Sequence, residues 1–145
     1  MSFADSISHT LKKYFDFSGR ASRSEFWFFL LFVAVAQAIA RVFGAPIAMV
    51  VALLLFVPQM SVAVRRLHDI GKTGQELVIP FIFMAAAPLV MWMGGVLIGL
   101  VKIAYGVITL MLIVRLVMLW AKKGSSIPNK YGAAPSAFSF AKSKA

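Results

Sequence analysis

The sequence predicts an all-α integral membrane protein, with four transmembrane helices arranged as two hairpins and an N-terminal interfacial helix. Three observations predict this class. The 145 residues are 61% hydrophobic and 14% charged, with a mean hydropathy of +0.86, whereas a soluble domain is nearer half apolar and a quarter charged. The apolar residues form long runs, and the basic residues concentrate outside those runs. We therefore expect one membrane domain over residues 1–145.

The first hairpin is predicted from two apolar runs, at residues 26–43 and 47–64. Each run approaches the roughly 20 residues that cross a hydrocarbon layer of about 30 Å. Only residues 44–46, with the sequence Gly-Ala-Pro, separate them, which indicates a tight turn and an antiparallel pair. Pro58 lacks a backbone amide, so we expect it to free the carbonyl of Leu54 inside the second span.

The second hairpin is predicted from a 45-residue apolar run at 77–121, which follows a polar connection at 65–76. A single helix of that length would extend about 67 Å, which is far more than a bilayer requires. The run carries only two charged residues, Lys102 and Arg115. Two spans are therefore expected, and Arg115 is expected to reach toward the nearer membrane surface.

The turn between these spans falls either at residues 94–95 or between Gly99 and Gly106, since both positions are glycine-rich. We favour the second position because it leaves Lys102 in water. A lysine near the centre of the bilayer costs up to about 3 kcal/mol. This choice gives spans at 77–98 and 103–121.

Basic residues predict the orientation of the four spans. Twelve of the 15 Lys and Arg residues fall on the side that carries the termini and the central connection, and two fall on the other side. The positive-inside rule then places residues 1–25, 65–76 and 122–145 in the cytoplasm. The lipid bilayer is the first expected partner, and anionic headgroups would attract these basic segments.

Residues 2–15 have the pattern of an amphipathic helix, since Phe3, Ile7, Leu11 and Phe15 recur every four residues. Ser2 with Asp5 is expected to cap its start. The apolar stripe and the neighbouring lysines favour a helix that lies on the membrane surface, although a frayed terminus is the alternative.

A second helix start is predicted at Ser22-Arg23-Ser24-Glu25, which matches a capping box just before the first span. After the second span, Arg65 and Asp69 stand four residues apart and are expected to pair on one helical face. Gly71 and Gly74 then indicate a helix stop and a turn.

Composition argues against several kinds of site. There is no cysteine, and the two histidines and five acids leave too few ligands for a metal centre, so no metal or cofactor is expected. The Gly-Lys-Thr string at 71–73 lacks the preceding glycine and strand of a phosphate-binding loop. Nucleic acid is not expected as a partner either, because the basic residues flank spans and lack an aromatic RNA-binding signature.

Three segments together resemble a known family: residues 14–27 (YFDFSGRASRSEFW), residues 65–74 (RRLHDIGKTG), and Asn129-Lys130-Tyr131-Gly132 with Pro135. In this order, with spans between them, they resemble the DUF805 family (domain of unknown function) of small bacterial inner-membrane proteins. The resemblance implies a four-span protein of the cytoplasmic membrane, and it implies no activity. One departure is visible, since Gln75 follows Gly74 where the family pattern suggests tryptophan.

All three segments fall on the predicted cytoplasmic side, and charges at such an interface interact strongly and must be matched. We therefore hypothesise one polar cluster there as the candidate site. Its members are Asp16, Arg20, Arg23, Glu25, Arg65, Arg66, His68, Asp69, Asn129 and Tyr131.

Three functions fit these features. The first is a non-enzymatic membrane protein that binds lipid, a protein partner or a second copy of itself through the cytoplasmic face. The second is a small oligomeric transporter or channel, which the prolines with Gln37 and Gln59 favour. The third is an enzyme acting on lipid headgroups through His68 and Asp69. We favour the first, because the spans contain no acid and ion relays normally use buried carboxylates.

Overall fold

The computed structural model describes residues 2–93 and 96–135, and residues 96–98 only as helical backbone. The helices are α1 (Phe3–Lys12), α2 (Arg23–Val42), α3 (Ala45–Asp69), α4 (Val78–Trp92) and α5 (Val96–Ala121). A short 3-10 turn at Gly74–Leu77 leads directly into α4.

Four segments are long and apolar enough to cross a membrane, and they are Arg23–Val42, Ala45–Asp69, Gly74–Trp92 and Gly99–Ala121. This confirms the all-α fold class with four membrane helices. The helices form two successive hairpins, α2–α3 and α4–α5.

The predicted N-terminal helix is present as α1, and Ser2 and Asp5 form the capping box at its start. Its orientation is unusual for an amphipathic helix. The residues that α1 buries are Ser6 and Thr10, whereas Phe3 and Leu11 of the apolar stripe remain exposed. The stripe is therefore partly exposed, as expected of a helix whose apolar side meets lipid, although Ile7 is half-buried and Phe3 also packs edge-on against Phe28 of α2.

The expected tight turn joins α2 to α3. Gly44 has φ +109°, a conformation that costs glycine little, and it occupies the N-cap of α3. Pro46 lies in the first turn of α3, where its missing amide removes no helical hydrogen bond.

The turn favoured between Gly99 and Gly106 is wrong, because α5 runs without a break from Val96 to Ala121. Helix α4 ends at Trp92, so the third span is also shorter than expected. Lys102 does not need a turn to avoid burial. Its Nζ donates to the carbonyl of Met91 at 3.0 Å, near the end of α4, where helical carbonyls lack partners.

The buried apolar core lies at the end of the bundle that carries both the N-terminal segment (residues 2–22) and the segment after α5 (residues 122–135), which we call the tail. Its members are Ala21, Phe26, Phe29, Val62, Ala63, Leu67, Leu77, Leu116 and Leu119. We call this end, with residues 2–22, 65–77 and 120–135, the basic face.

The N-terminal segment is anchored on α3 around Pro58. The hydroxyl of Tyr14 donates to the carbonyl of Leu54, the group that Pro58 was expected to free. One turn further along, the hydroxyl of Ser61 lies 2.9 Å from the carbonyl of Lys13 and 2.7 Å from that of Asp16. The segment after α1 is therefore fixed against the second span rather than left in solvent.

Candidate functional site

Asp69, the last residue of α3, is the centre of a buried ion network. Arg20 donates to its Oδ1 from Nε at 3.0 Å and from Nη2 at 2.8 Å. Arg66 donates to its Oδ2 from the other side. The three residues are each no more than 7% exposed. Two guanidinium groups thus share one carboxylate, and the group retains a net positive charge.

The predicted pair of Arg65 with Asp69 is wrong. Arg65 instead donates from Nη1 to Oε1 of Glu25 at 2.8 Å, and both side chains are buried. The segment just before α2 lies beside Arg65, as the bond from the amide of Ala21 to the carbonyl of Arg65 shows. Tertiary packing therefore decides the pairing, and spacing along one helix does not.

Glu25 joins three helices. Besides Arg65 on α3, its Oε1 lies 3.0 Å from Nδ1 of His9 and 3.4 Å from the hydroxyl of Thr10, both on α1. This use of the carboxylate explains why the predicted capping box on α2 is only half formed. Ser22 is the N-cap and accepts from the amide of Glu25 at 3.1 Å, but the carboxylate does not return to Ser22.

Arg20 and Arg66 also bind the tail. Arg66 donates from Nε to the carbonyl of Trp120 at 2.9 Å, and from Nη2 to that of Lys122, so it caps the end of α5. Arg20 donates to the carbonyl of Ile127 at 3.0 Å. Because a guanidinium has five donors, each arginine serves the carboxylate and the tail together.

Gly124 makes this close approach of the tail to Asp69 feasible. A Cβ atom at this position would lie 1.8 Å from Oδ2 of Asp69. The next residue, Ser125, donates its amide to the carbonyl of Asp69 at 3.1 Å. Sequence reasoning missed Gly124, since the only local signal was a glycine just after a span.

His68 contacts a second region of the tail, at Asn129 and Tyr131. Its ring stacks on Tyr131, with centroids 3.8 Å apart and planes 4° apart. Its Nδ1 lies 3.1 Å from the carbonyl of Gly19, and because a carbonyl only accepts, Nδ1 carries the proton. The side chain of Asn129 donates to the carbonyl of His68 at 2.9 Å.

Two predicted members remain apart from these contacts. The carboxylate of Asp16 accepts from the amide of Ser18 at 2.9 Å and from its hydroxyl, and these bonds lower the pKa of Asp16. It is also 3.5 Å from Nζ of Lys13. Arg23 is exposed and makes no ion pair or hydrogen bond through its side chain with residues 2–93 or 96–135.

The network thus brings together Arg20, Arg66 and Asp69, separately Glu25 with Arg65, and separately His68 with Asn129 and Tyr131. Sequence reasoning also missed His9 and Thr10 as partners of Glu25. Within the described ranges, no group of three or more His, Cys, Asp or Glu residues is placed to hold a metal ion.

Arg115 and Glu76 form a further ion pair at the basic face, with Nη2 of Arg115 2.6 Å from Oε2 of Glu76. The arginine side chain is 49% exposed. Arg115 therefore reaches the end of the bundle, as expected, but it does so toward an acid at the start of the third span.

A family model described as "Protein of unknown function (DUF805)" matches residues 14–133 of the chain. The chain is 37% identical over 79 residues to the inner membrane protein YhaI of Escherichia coli strain K12, and the match covers 50% of this chain and 67% of that protein. YhaI of Escherichia coli O157:H7 matches with the same identity and coverage. No solved structure matches the chain significantly.

Proposed function

The chain belongs to the DUF805 family, which is described as a family of unknown function, and we propose that it is a non-enzymatic protein of the bacterial inner membrane that binds anionic lipid through its basic face. Both termini and the connection between α3 and α4 lie in the cytoplasm in this proposal. The similarity to an inner membrane protein of Escherichia coli supports the location, and the distribution of Lys and Arg supports the orientation.

The observation that carries the proposal is the partly exposed apolar stripe of α1. Phe3 and Leu11 are exposed, and Phe15 beyond the helix is 76% exposed, although the same helix buries Ser6 and Thr10. The exposed Lys12 lies at the end of this helix. An apolar stripe beside basic residues is the arrangement that inserts at the surface of an anionic membrane.

The ion network has a supporting role in this proposal. Arg65 and Arg66 are fully buried, so they do not offer their charges to lipid headgroups. Instead, Glu25 fixes α1 through His9 and Thr10, and Asp69 fixes the tail through Arg20 and Arg66. The exposed basic residues are thereby held on a rigid base.

The test uses native mass spectrometry of the full chain in mild detergent with equimolar phosphatidylglycerol and phosphatidylcholine. We expect phosphatidylglycerol to be retained preferentially, and we expect Lys12→Gln with Lys13→Gln to reduce that retention severalfold. Arg41→Gln at the opposite end of α2 is the matched control and should have no effect. Equal retention of the two lipids, or an equal loss in the control, contradicts the proposal, and a co-purifying protein would favour a protein partner instead.

The orientation has a separate test. Single cysteines introduced at exposed Ser126 and at exposed Phe43 should react oppositely with an impermeant maleimide in intact cells, since the wild-type chain contains no cysteine. Labelling of Ser126→Cys before cell lysis would place the tail outside and contradict the orientation.

The second candidate function is a small oligomeric transporter or channel. Two prolines inside the membrane helices, Pro58 and Pro88, are the features that favour it. Flux of ions or small solutes through proteoliposomes would support it, and masses of multiple copies in the same native spectra would identify the assembly.

A further inference from the structure

The basic face contains an open cavity of about 300 Å3, with a mixed polar and apolar lining, where the start of α2 meets the tail. Its polar lining comes from Ser22, Arg23, Asp69, Ser125 and Ser126, and the rest of the lining comes from Gly124, Ala134 and Pro135. This volume is at the lower end of those found for ligand sites. It is adequate for one small anionic group, with part of the molecule that carries the group.

The charge around the cavity is unbalanced. The carboxylate of Asp69 is already matched on both oxygens, by Arg20 on one and Arg66 on the other. These three residues together carry one net positive charge, and Arg23 adds a second. An anion in the cavity would therefore meet an environment with two excess positive charges, and an uncharged or cationic ligand would gain nothing from them.

The hydrogen-bond donors around the cavity are only partly used. The guanidinium of Arg23 has no partner among residues 2–93 and 96–135, and neither has the hydroxyl of Ser126. The hydroxyl of Ser125 already accepts a hydrogen bond from the amide of Ile127, and the hydroxyl of Ser22 accepts one from the amide of Glu25. Arg23 and Ser126, on opposite segments, thus line one open cavity, and each carries a donor group that is free of partners among residues 2–93 and 96–135.

We propose that this cavity binds a phosphoryl group, with the Arg23 guanidinium and the Ser126 hydroxyl as its principal ligands. A planar guanidinium binds two oxygens of a phosphoryl group at once, and a third oxygen remains for the hydroxyl. The phosphoryl group comes either from a lipid headgroup or from a soluble phosphate. A lipid headgroup can reach the cavity because α2 begins to cross the membrane beside it. The lipid source rests on the proposed function, and the soluble source does not.

The test measures occupancy of the purified chain in mild detergent by native mass spectrometry, with inorganic phosphate as one probe and phosphatidylglycerol as the other. We expect one phosphoryl ligand per chain. Because a hydrogen bond to a charged group contributes roughly 1.5–3 kcal/mol, Arg23→Gln should weaken binding about tenfold or more. Ser126→Ala should weaken it severalfold, and it tests the site independently because this exposed position does not affect folding.

Lys123→Gln is the matched control, since Lys123 is an exposed basic residue of the same tail that does not line the cavity. It should retain the ligand. If Arg23→Gln and Lys123→Gln weaken binding equally, the attraction is diffuse and the cavity is not a site. Absence of binding for both probes also overturns the proposal.

The two probes separate this inference from the proposed function. Competition of inorganic phosphate against one phosphatidylglycerol molecule identifies the headgroup as the source. Binding of phosphate without lipid keeps the cavity site and contradicts the lipid-binding function. Lipid retention that depends on Lys12 and Lys13 but is unaffected by Arg23→Gln and Ser126→Ala, together with no binding of inorganic phosphate, keeps the function and overturns the cavity site.

Discussion

The two hairpins of this protein are held in different ways. In the first hairpin, 22% of the membrane-spanning residues of α2 and 28% of those of α3 are buried. In the second hairpin, the share is 11% for each span. The first hairpin also contains the buried pair of Glu25 with Arg65 and the shared carboxylate of Asp69. At the start of the second hairpin, Glu76 pairs with Arg115 and with Lys72, and both of these basic side chains are about half exposed.

This difference teaches that the fixed part of the molecule depends on polar contacts as well as apolar ones. Within a bilayer, apolar side chains gain little by leaving lipid for one another, so hydrogen bonds and close packing must position the helices. The first hairpin has these contacts at its basic end. Both hairpins present large apolar side chains outward, such as Leu53 in the first and Leu110 in the second, so the buried ion pairs are what set the first hairpin apart.

The largest expected effect is that of Asp69→Asn, which leaves Arg20 and Arg66 buried without a matching charge. Removal of one partner from a buried ion pair costs about 3–5 kcal/mol. The matched change in the second hairpin is Glu76→Gln, which should cost at most about 1 kcal/mol because that pair is half exposed. Thermal unfolding in detergent, followed by tryptophan fluorescence, measures both. Similar midpoints for the two variants would remove the contrast between the hairpins.

Gly124→Ala should have the next largest effect, because a methyl group there would meet Oδ2 of Asp69 at 1.8 Å. Forcing atoms into such a contact costs about 1–3 kcal/mol, and displacement of the tail relieves it. We expect the tail to become sensitive to limited proteolysis. Gly106→Ala, where no atom lies within 4 Å of the new methyl group, is the control, and equal protection of both variants would contradict the docked tail.

Tyr14→Phe is expected to cost about 1 kcal/mol, since it removes one hydrogen bond to the carbonyl of Leu54. Pro58→Ala restores a backbone amide to that carbonyl, so the tyrosine hydroxyl should matter less in the Pro58→Ala background. A double-mutant cycle on unfolding free energies measures this dependence. The second hairpin has a parallel contact, from the hydroxyl of Tyr105 to the carbonyl of Phe83, so Tyr105→Phe is the comparison. Additive effects of the two changes at residues 14 and 58 would show that the hydroxyl does not replace the missing amide.

The smallest expected effect concerns the start of α1. Hydrogen bonds from Ser2 hold the pKa of Asp5 below its ordinary value. A lowered pKa means that the charged carboxylate stabilises the folded helix above the unfolded pKa, and that this contribution is lost as the pH falls through the folded value. Hydrogen exchange of the α1 amides should therefore be slower in the wild-type protein than in Asp5→Asn at neutral pH. In acid, the exchange rates of the two proteins should converge. An equal exchange rate of the two proteins at neutral pH would show that the cap has no role.

The apolar runs were sufficient to predict the four spans, because a bilayer imposes both their length and their helical state. The turn at Gly44 was predictable for the same reason, since only three residues separate two complete spans. The turn before α5 was not, because a long lysine side chain can reach a helix end from inside a span. The contact of Lys102 with Met91 provides this alternative, and the residue pattern does not distinguish the two solutions.

The ion network was predictable in composition but not in pairing. The spacing of Arg65 and Asp69 fits one helical face, yet the decisive partners, Glu25 and Arg20, come from segments 40 and 49 residues away. Nothing local to those segments reports such contacts. The same limit applies to Gly124, whose importance depends on a carboxylate from a different helix.

The contacts of Arg20 and Arg66 with the tail have a consequence for biogenesis. Both arginines precede α4 and α5 in the chain, but the carbonyls of Trp120, Lys122 and Ile127 that accept from them are synthesised after both of these helices or at the end of the second. The ribosome therefore delivers the first hairpin to the membrane before its guanidinium groups have their full set of acceptors. The basic face can therefore form all of its contacts only after α5 and the tail have been synthesised. The first hairpin is inserted before these contacts exist.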